Sequence, residues 1–104
     1  MILDIRYSVN RVPIRLTEER WEHILLNHQE FSYHDKELIL DAIERPDYIL
    51  SGRAGSLVAV VALGKAAYLH VYYKEKRDRS DGFIITARIR PKVKIGRASC
   101  RERV

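Results

Sequence analysis

The stretch that decides the fold is SLVAVVALGKAAYLHVYYKEKRDRSDGFIITARIR, residues 56–90 of a 104-residue chain. Runs rich in Val, Ile and Tyr alternate in it with short segments of Gly, Asp, Ser and charged residues. β-Branched and aromatic residues favour strands, whereas Gly, Asp and Ser favour turns. The pattern predicts strands at 56–63, 66–75 and 82–90, and residues 48–53 add a shorter strand before them. Because the connections are short, we expect consecutive strands to pair antiparallel.

Helical periodicity precedes these strands. Thr17 is suited to cap a helix whose first turn holds two glutamates, because the positive end of the helix dipole favours carboxylates. A second helix is predicted over residues 35–44 and ends before Pro46. Residues 2–9 are mixed and are assigned at most an edge strand. The predicted fold class is therefore α+β, with two N-terminal helices followed by a four-stranded antiparallel sheet. The first helix places four side chains at the spacing of one buried face: Trp21, Ile24, Leu25 and His28.

The last ten residues, IGRASCRERV at 95–104, are expected to be no part of the natural protein. They match the in-frame translation of a short-read sequencing adapter, and such a segment is set aside before fold reasoning. We therefore expect a single domain over residues 1–94, with the natural reading frame interrupted near Lys94. Since Cys100 lies in the tail, this domain has no cysteine, so we expect no disulfide framework and favour a reducing cytosol.

Positive charge is concentrated late in the chain. The formal net charge is +5, yet residues 1–73 carry eight Lys or Arg against ten Asp or Glu. Residues 74–94 carry eight against three. This surplus predicts a local surface for a polyanion, and a solvated basic hairpin is the alternative. No apolar run approaches the roughly 20 residues that cross a bilayer, so no membrane partner is expected.

Alternation along the last two strands predicts which side chains share a sheet face. In the strand over 66–75 the core side is assigned Leu69, Val71 and Tyr73. In the strand over 82–90 the core side is assigned Phe83, Ile85, Ala87 and Ile89, and Ile84 is assigned to the opposite side. If the two strands pair, that opposite face collects six polar side chains: His70, Tyr72, Lys74, Thr86, Arg88 and Arg90.

Such a face has the groups that recognise a phosphodiester. Its cations attract phosphate oxygens, an aromatic ring stacks on a base, and an imidazole transfers protons near neutral pH. The alternative is an ordinary solvated face of a half-exposed sheet. A metal site is not expected, because His23 and His28 are five residues apart and therefore roughly 140° apart around a helix axis. His28 lies in the apolar stripe of its helix, where a packed histidine is the alternative to a functional one, and His23 has a solvent-exposed position.

Four segments occur in a characteristic order: LTEERWEHILLNH at 16–28, AIERPDYIL at 42–50, VYYKE at 71–75 and DGFIITARI at 81–89. Together they resemble a family of small phage and prophage domains in the barnase–EndoU–colicin–RelE-like (BECR) nuclease superfamily. The resemblance implies helices followed by an antiparallel sheet, and RNA cleavage that needs neither a metal nor a cofactor. It also implies a site that combines histidine, hydroxyl and basic side chains, carried over to His23, His28, Lys74 and Thr86.

The expected mechanism is attack of an RNA 2′-hydroxyl on the neighbouring phosphate. His28 would act as general base or acid, Lys74 and Arg88 would stabilise charge on the phosphate, Thr86 would hydrogen-bond to it, and Tyr72 would stack on a base. His70 and Arg90 complete the predicted nucleic-acid-binding set. Periodicity puts His28 on the core side of its helix, so it reaches these residues only if the helix end extends around the sheet edge.

The expected partners are RNA and an antitoxin or immunity protein. Two other classes of function remain open from the sequence. One is a non-catalytic module that binds nucleic acid or protein, and the other is a ribosome-dependent toxin of the RelE kind that is held by an antitoxin.

Overall fold

The structure is a computed structural model in which residues 1–91 are described. The expected adapter-derived tail at 95–104, together with Lys92 and Lys94 of the basic segment, lies outside the described residues. The described chain forms six strands and two α-helices, and a turn of 3₁₀ helix precedes the second α-helix. In chain order they are β1 (Ile2–Tyr7), β2 (Pro13–Thr17), α1 (Glu18–Asn27), α2 (Lys36–Glu44), β3 (Tyr48–Ser51), β4 (Leu57–Leu63), β5 (Ala67–Glu75) and β6 (Gly82–Pro91).

The strands form one mixed sheet in the order β1-β2-β6-β5-β4-β3. Neighbouring strands are antiparallel except β2 and β6, which pair in parallel over two residues. The predicted fold class is therefore wrong: a β-hairpin precedes the helices, and the sheet has six strands rather than four. The antiparallel meander from β3 to β6 is confirmed as the larger part of that sheet.

The strand that the prediction missed is β2. Val12, Ile14 and Leu16 are fully buried at alternate positions, which is the period-two pattern of a strand with one face in the core. Pro13 is accommodated because it occupies the first residue of the strand. The pattern is only five residues long and ends at Thr17, the residue that caps α1. The sequence therefore indicates the start of the helix more strongly than the strand before it.

Both helices pack on one face of the sheet, which we call the inner face. The predicted cap of α1 is confirmed, since the Thr17 side chain accepts a hydrogen bond of 3.2 Å from the backbone N–H of Arg20. Trp21 and Ile24 are buried beneath that helix. The core between helices and sheet also includes Phe31 and residues of α2, β2, β5 and β6. Within residues 1–91, neither α-helix is long and apolar enough to span a bilayer.

A β-bulge in β6 changes which residues face the core. Tyr72 of β5 pairs with Thr86, but the next residue, Tyr73, pairs with Ile84, so Ile85 is an additional residue in β6. Ile84 is consequently fully buried. Phe83 lies on the outer face, the side of the sheet away from the helices, with the Arg15 guanidinium carbon 5.7 Å from its ring centroid.

The bulge therefore corrects three of the predicted orientations. Ile84 belongs to the core, whereas Phe83 and Ile85 do not. Beyond the bulge, the predicted alternation is confirmed: Ala87 and Ile89 pack in the core. The outer face there carries Thr86, Arg88 and Arg90, which all line one cleft on that side.

Gly82 lies where β2, β5 and β6 meet, and a larger residue at this position is expected to destabilise the fold. This buried residue pairs with Ile14 on one side and Glu75 on the other, and a Cβ atom there would lie 2.7 Å from Ile14 Cδ1 and still closer to the Lys74 carbonyl oxygen. Gly82→Ala is expected to lower the free energy of unfolding by about 2 kcal/mol, because overpacking against backbone has no easy relief. Urea denaturation measures this change.

Gly64→Ala is the matched control, since its Cβ would meet open space and cost only the left-handed backbone conformation, about 1 kcal/mol. Equal stability of the two variants would contradict a close three-strand junction at Gly82.

Candidate functional site

An open cleft of about 610 Å³ lies on the outer face of the sheet. Leu50, Val58 and Ile85 supply apolar parts of its lining. Its polar lining includes five residues that the sequence assigned to catalysis or nucleic-acid binding: His70, Tyr72, Thr86, Arg88 and Arg90.

The β5–β6 register explains why these five side chains meet. His70 is directly opposite Arg88, Tyr72 is opposite Thr86, and Arg90 is opposite Tyr68. Side chains of directly opposed residues start from Cβ atoms only about 5 Å apart. Two rows on neighbouring strands thus place an imidazole, a phenol, a hydroxyl and two guanidinium groups on one surface.

The other wall of the cleft is the turn over residues 52–56, which the sequence did not assign to the site. The Gly52 N–H donates to the Ser56 carbonyl oxygen at 2.8 Å, and the Ser56 N–H donates to the Arg53 carbonyl oxygen at 2.9 Å. Ala54 has a left-handed backbone with φ of 54°, an uncommon conformation for a residue with a Cβ. The turn lines the cleft with Arg53, a third guanidinium group. Only the Ala54-Gly55 turn signal could have indicated this wall, and it gives no hint of which strand it faces.

Two cations of the cleft differ in their ion pairing from Arg6, Arg15 and Lys76. Arg6 is paired with three carboxylates of α2, and Arg15 and Lys76 share Asp81. By contrast, Arg88 and Arg90 form no ion pair with any carboxylate of residues 1–91. Their charge is therefore available to an anionic ligand in the cleft.

Two polar atoms of the cleft residues are buried without a hydrogen-bond partner among the described residues. They are Thr86 Oγ1 and Arg88 Nε. The Arg88 guanidinium carbon lies 5.6 Å from the Tyr72 ring centroid, so the cation is held against an aromatic face. An unsatisfied buried donor typically costs about 1–3 kcal/mol, and a ligand that reached these groups and accepted hydrogen bonds from them would remove that cost.

His70 is electrostatically suited to be a base. Burial lowers the pKa of its imidazole below the ordinary value, and the positive charges of Arg90 and Arg88 lower it further. The ring is therefore neutral at neutral pH and can accept a proton. Its centroid lies 6.4 Å from that of the Tyr72 ring.

The three remaining predicted residues lie outside the cleft. His28 caps the C-terminal end of α1 on the inner side, with Nδ1 3.8 Å from Glu30 Oε2. Glu30 also accepts a 3.1 Å hydrogen bond from the backbone N–H of Ile89, so the end of this helix is tied to the edge of β6. His23 is exposed on α1, and Lys74 lies on the outer face beyond Tyr72. The helix end thus reaches the sheet edge, but His28 does not line the cleft.

Among residues 1–91, no group of three or more His, Cys, Asp or Glu side chains is arranged to hold a metal ion. Comparisons with protein-family models, with curated proteins and with solved structures find no match for this chain. The functional assignment therefore depends on the geometry of the cleft and on the sequence motifs.

The electrostatic environment of His70 gives a direct prediction. Arg90→Gln removes the larger of the two charge effects, so the pKa of His70 is expected to rise toward its ordinary value. A pH titration of the histidine ring signals by NMR measures this shift.

Arg45→Gln is the control, because it removes an exposed charge at the end of α2, and Arg45 is not among the causes of the His70 shift. A His70 pKa that is unchanged in Arg90→Gln would contradict the described cleft.

Proposed function

We propose that the protein is a metal-independent endoribonuclease of the BECR type and that the outer-face cleft is its active site. The observation that carries this proposal is the convergence of His70, Thr86, Arg88 and Arg90 in one cleft. A neutral imidazole supplies a general base for in-line cleavage of RNA, and the unpaired cations and the hydroxyl supply groups that stabilise charge on the phosphate. The order of the four sequence motifs supports the same assignment.

In the proposed reaction, His70 accepts the proton of the 2′-hydroxyl while its oxygen forms a bond to the adjacent phosphorus. The bond from phosphorus to the 5′-oxygen breaks, and that oxygen leaves as a hydroxyl after taking a proton from solvent, to which the cleft is open. The products are a 2′,3′-cyclic phosphate and a 5′-hydroxyl. Arg88 and Arg90 stabilise the negative charge that grows on the phosphoryl oxygens, and Thr86 donates a hydrogen bond to one of them.

The base in this proposal is His70 rather than His28, to which the mechanism expected from the sequence assigns the role. Proton transfer needs hydrogen-bond contact with the reacting hydroxyl. His70 shares the cleft with the phosphate-binding cations, whereas His28 lies against Glu30 on the inner side. Tyr72 provides an aromatic surface in the cleft on which a base can stack.

We also propose that the enzyme acts in a reducing cytosol, because residues 1–94 contain no cysteine. We further propose, from the resemblance to toxin-like nucleases, that an antitoxin or immunity protein covers the cationic cleft.

The test is incubation of the purified protein with total RNA in the presence of EDTA, followed by end-group analysis. RNA fragments that end in a 2′,3′-cyclic phosphate are expected. His70→Gln should reduce the cleavage rate at least about 100-fold, as expected for loss of a general base, while RNA binding is retained. His28→Gln is the matched control and should cleave at close to the wild-type rate.

Each other outcome points to a different function. RNA that is bound but left intact would contradict catalysis and indicate a binding module. Cleavage only on ribosomes would indicate a toxin of the RelE kind. Loss of cleavage in His28→Gln but not in His70→Gln would contradict the assignment of the active site to the cleft.

A further inference from the structure

A second set of side chains lies on the outer face, outside the cleft and closer to β2. Arg15 of β2 pairs with Phe83 of β6, and Phe83 pairs with Lys74 of β5, so the three form one row across three strands. We call Arg15, Phe83 and Lys74 the Phe83 row. Each lies next to a fully buried neighbour in its own strand, which places all three side chains on the outer face.

The Phe83 row has an aromatic ring between two cationic side chains. The Arg15 guanidinium carbon lies 5.7 Å from the Phe83 ring centroid, within the range of a cation–π interaction. The Arg15 guanidinium forms an ion pair with Asp81 and donates a further hydrogen bond of 3.3 Å to the Gly82 carbonyl oxygen. These two contacts hold the guanidinium in place. Lys74 forms no ion pair with a carboxylate of residues 1–91.

A shallow groove of about 220 Å³ adjoins this row. Arg15 and Phe83 line it together with Thr17 and Arg20. Arg20, like Lys74, has no ion pair with a described carboxylate. Two nearby carboxylates bind other groups: Asp81 binds Arg15 and Lys76, and Glu75 accepts hydrogen bonds from Ser8 and Asn10. Lys74 and Arg20 therefore remain available to an anionic ligand, although Glu18 and Glu19 flank Arg20 at the start of α1.

We propose that the Phe83 row is a second base-binding subsite for single-stranded RNA, next to the cleft. This inference rests on the proposed function and specifies its substrate class. Aromatic rings beside cations bind single strands because a base stacks on the ring while the cations contact the backbone. The cleft and the Phe83 row thus form one binding surface that accommodates more than one nucleotide.

The spacing of the two aromatic positions favours a single strand over a duplex. Tyr72 and Lys74 are two residues apart in β5, a separation of about 7 Å along a strand, and Phe83 lies one strand farther away. Bases in one strand of a duplex are about 3.4 Å apart along the axis. Bases seated at both Tyr72 and Phe83 must therefore be separated from each other, as they are in an extended single strand.

The experiment compares binding of a dinucleotide and a hexanucleotide, both with a 2′-deoxyribose at the cleavable linkage, by NMR titration. Phe83→Leu keeps an apolar side chain but removes the ring. It is expected to lower the ratio of hexanucleotide to dinucleotide affinity about tenfold, the effect of losing one stacked base. Tyr33→Leu is the matched control, because Tyr33 is an exposed ring before α2, and the ratio should be unchanged.

Lys74→Gln is a second test that does not depend on the packing of Phe83. In a plot of the logarithm of the hexanucleotide binding constant against the logarithm of salt concentration, it should reduce the slope by roughly one, as loss of one phosphate contact does. An RNA duplex of six base pairs should bind more weakly than the single strand.

The outcomes separate this inference from the proposed function. If the wild-type protein cleaves RNA but Phe83→Leu and Lys74→Gln change neither the affinity ratio nor the salt dependence, the second subsite is overturned and the ribonuclease assignment stands. If both variants have the expected effects but no RNA is cleaved, the subsite stands and the ribonuclease assignment fails. Tighter binding of the duplex would also overturn the single-strand subsite.

Discussion

The pairing of β5 with β6 around the bulge at Ile85 is the constraint on which the rest of the structure depends. On the inner face it places Ile84 in the core, where the helices cover it. On the outer face it turns Phe83 toward solvent and aligns Thr86 with Tyr72. One inserted residue thus sets which side chains of β6 enter the core and places the Phe83 row beside the cleft. A regular alternation through β6 would put Phe83 on the inner face and Ile84 on the outer face, and the Phe83 row would lose its aromatic ring.

Much of this structure follows from local sequence signals. Apolar runs and short turns predict the meander from β3 to β6, and Thr17 predicts the start of α1, because both depend on neighbouring residues. The edge strand expected within residues 2–9 is present as β1, but β2 was missed, because its period-two pattern covers only five residues and leads directly into a helix cap. The parallel contact of Ile14 with Gly82 is non-local and has no local signal. The bulge is equally hidden, because Phe83, Ile84 and Ile85 are all apolar and any alternation fits them.

The candidate site was predictable to the extent that it follows strand alternation. His70, Tyr72, Thr86, Arg88 and Arg90 come together because consecutive strands pair in the expected way. The turn that carries Arg53 could not be predicted as the opposite wall, since its position depends on how β3 pairs with β4. The helix histidines lie apart from this group because α1 packs on the inner face. The sheet therefore lies between the helix histidines and the cleft residues, although the sequence motifs assign both groups to one site.

The most direct test of the assignment to the cleft is an NMR titration of the four histidine rings with an uncleavable RNA analogue. His70 is predicted to show the large chemical-shift change, and its pKa should rise on binding because phosphate offsets the positive charges of Arg90 and Arg88. The signals of His23, His28 and His34 should change little. A response confined to His28 or His23, with His70 unaffected at saturation, would contradict the account.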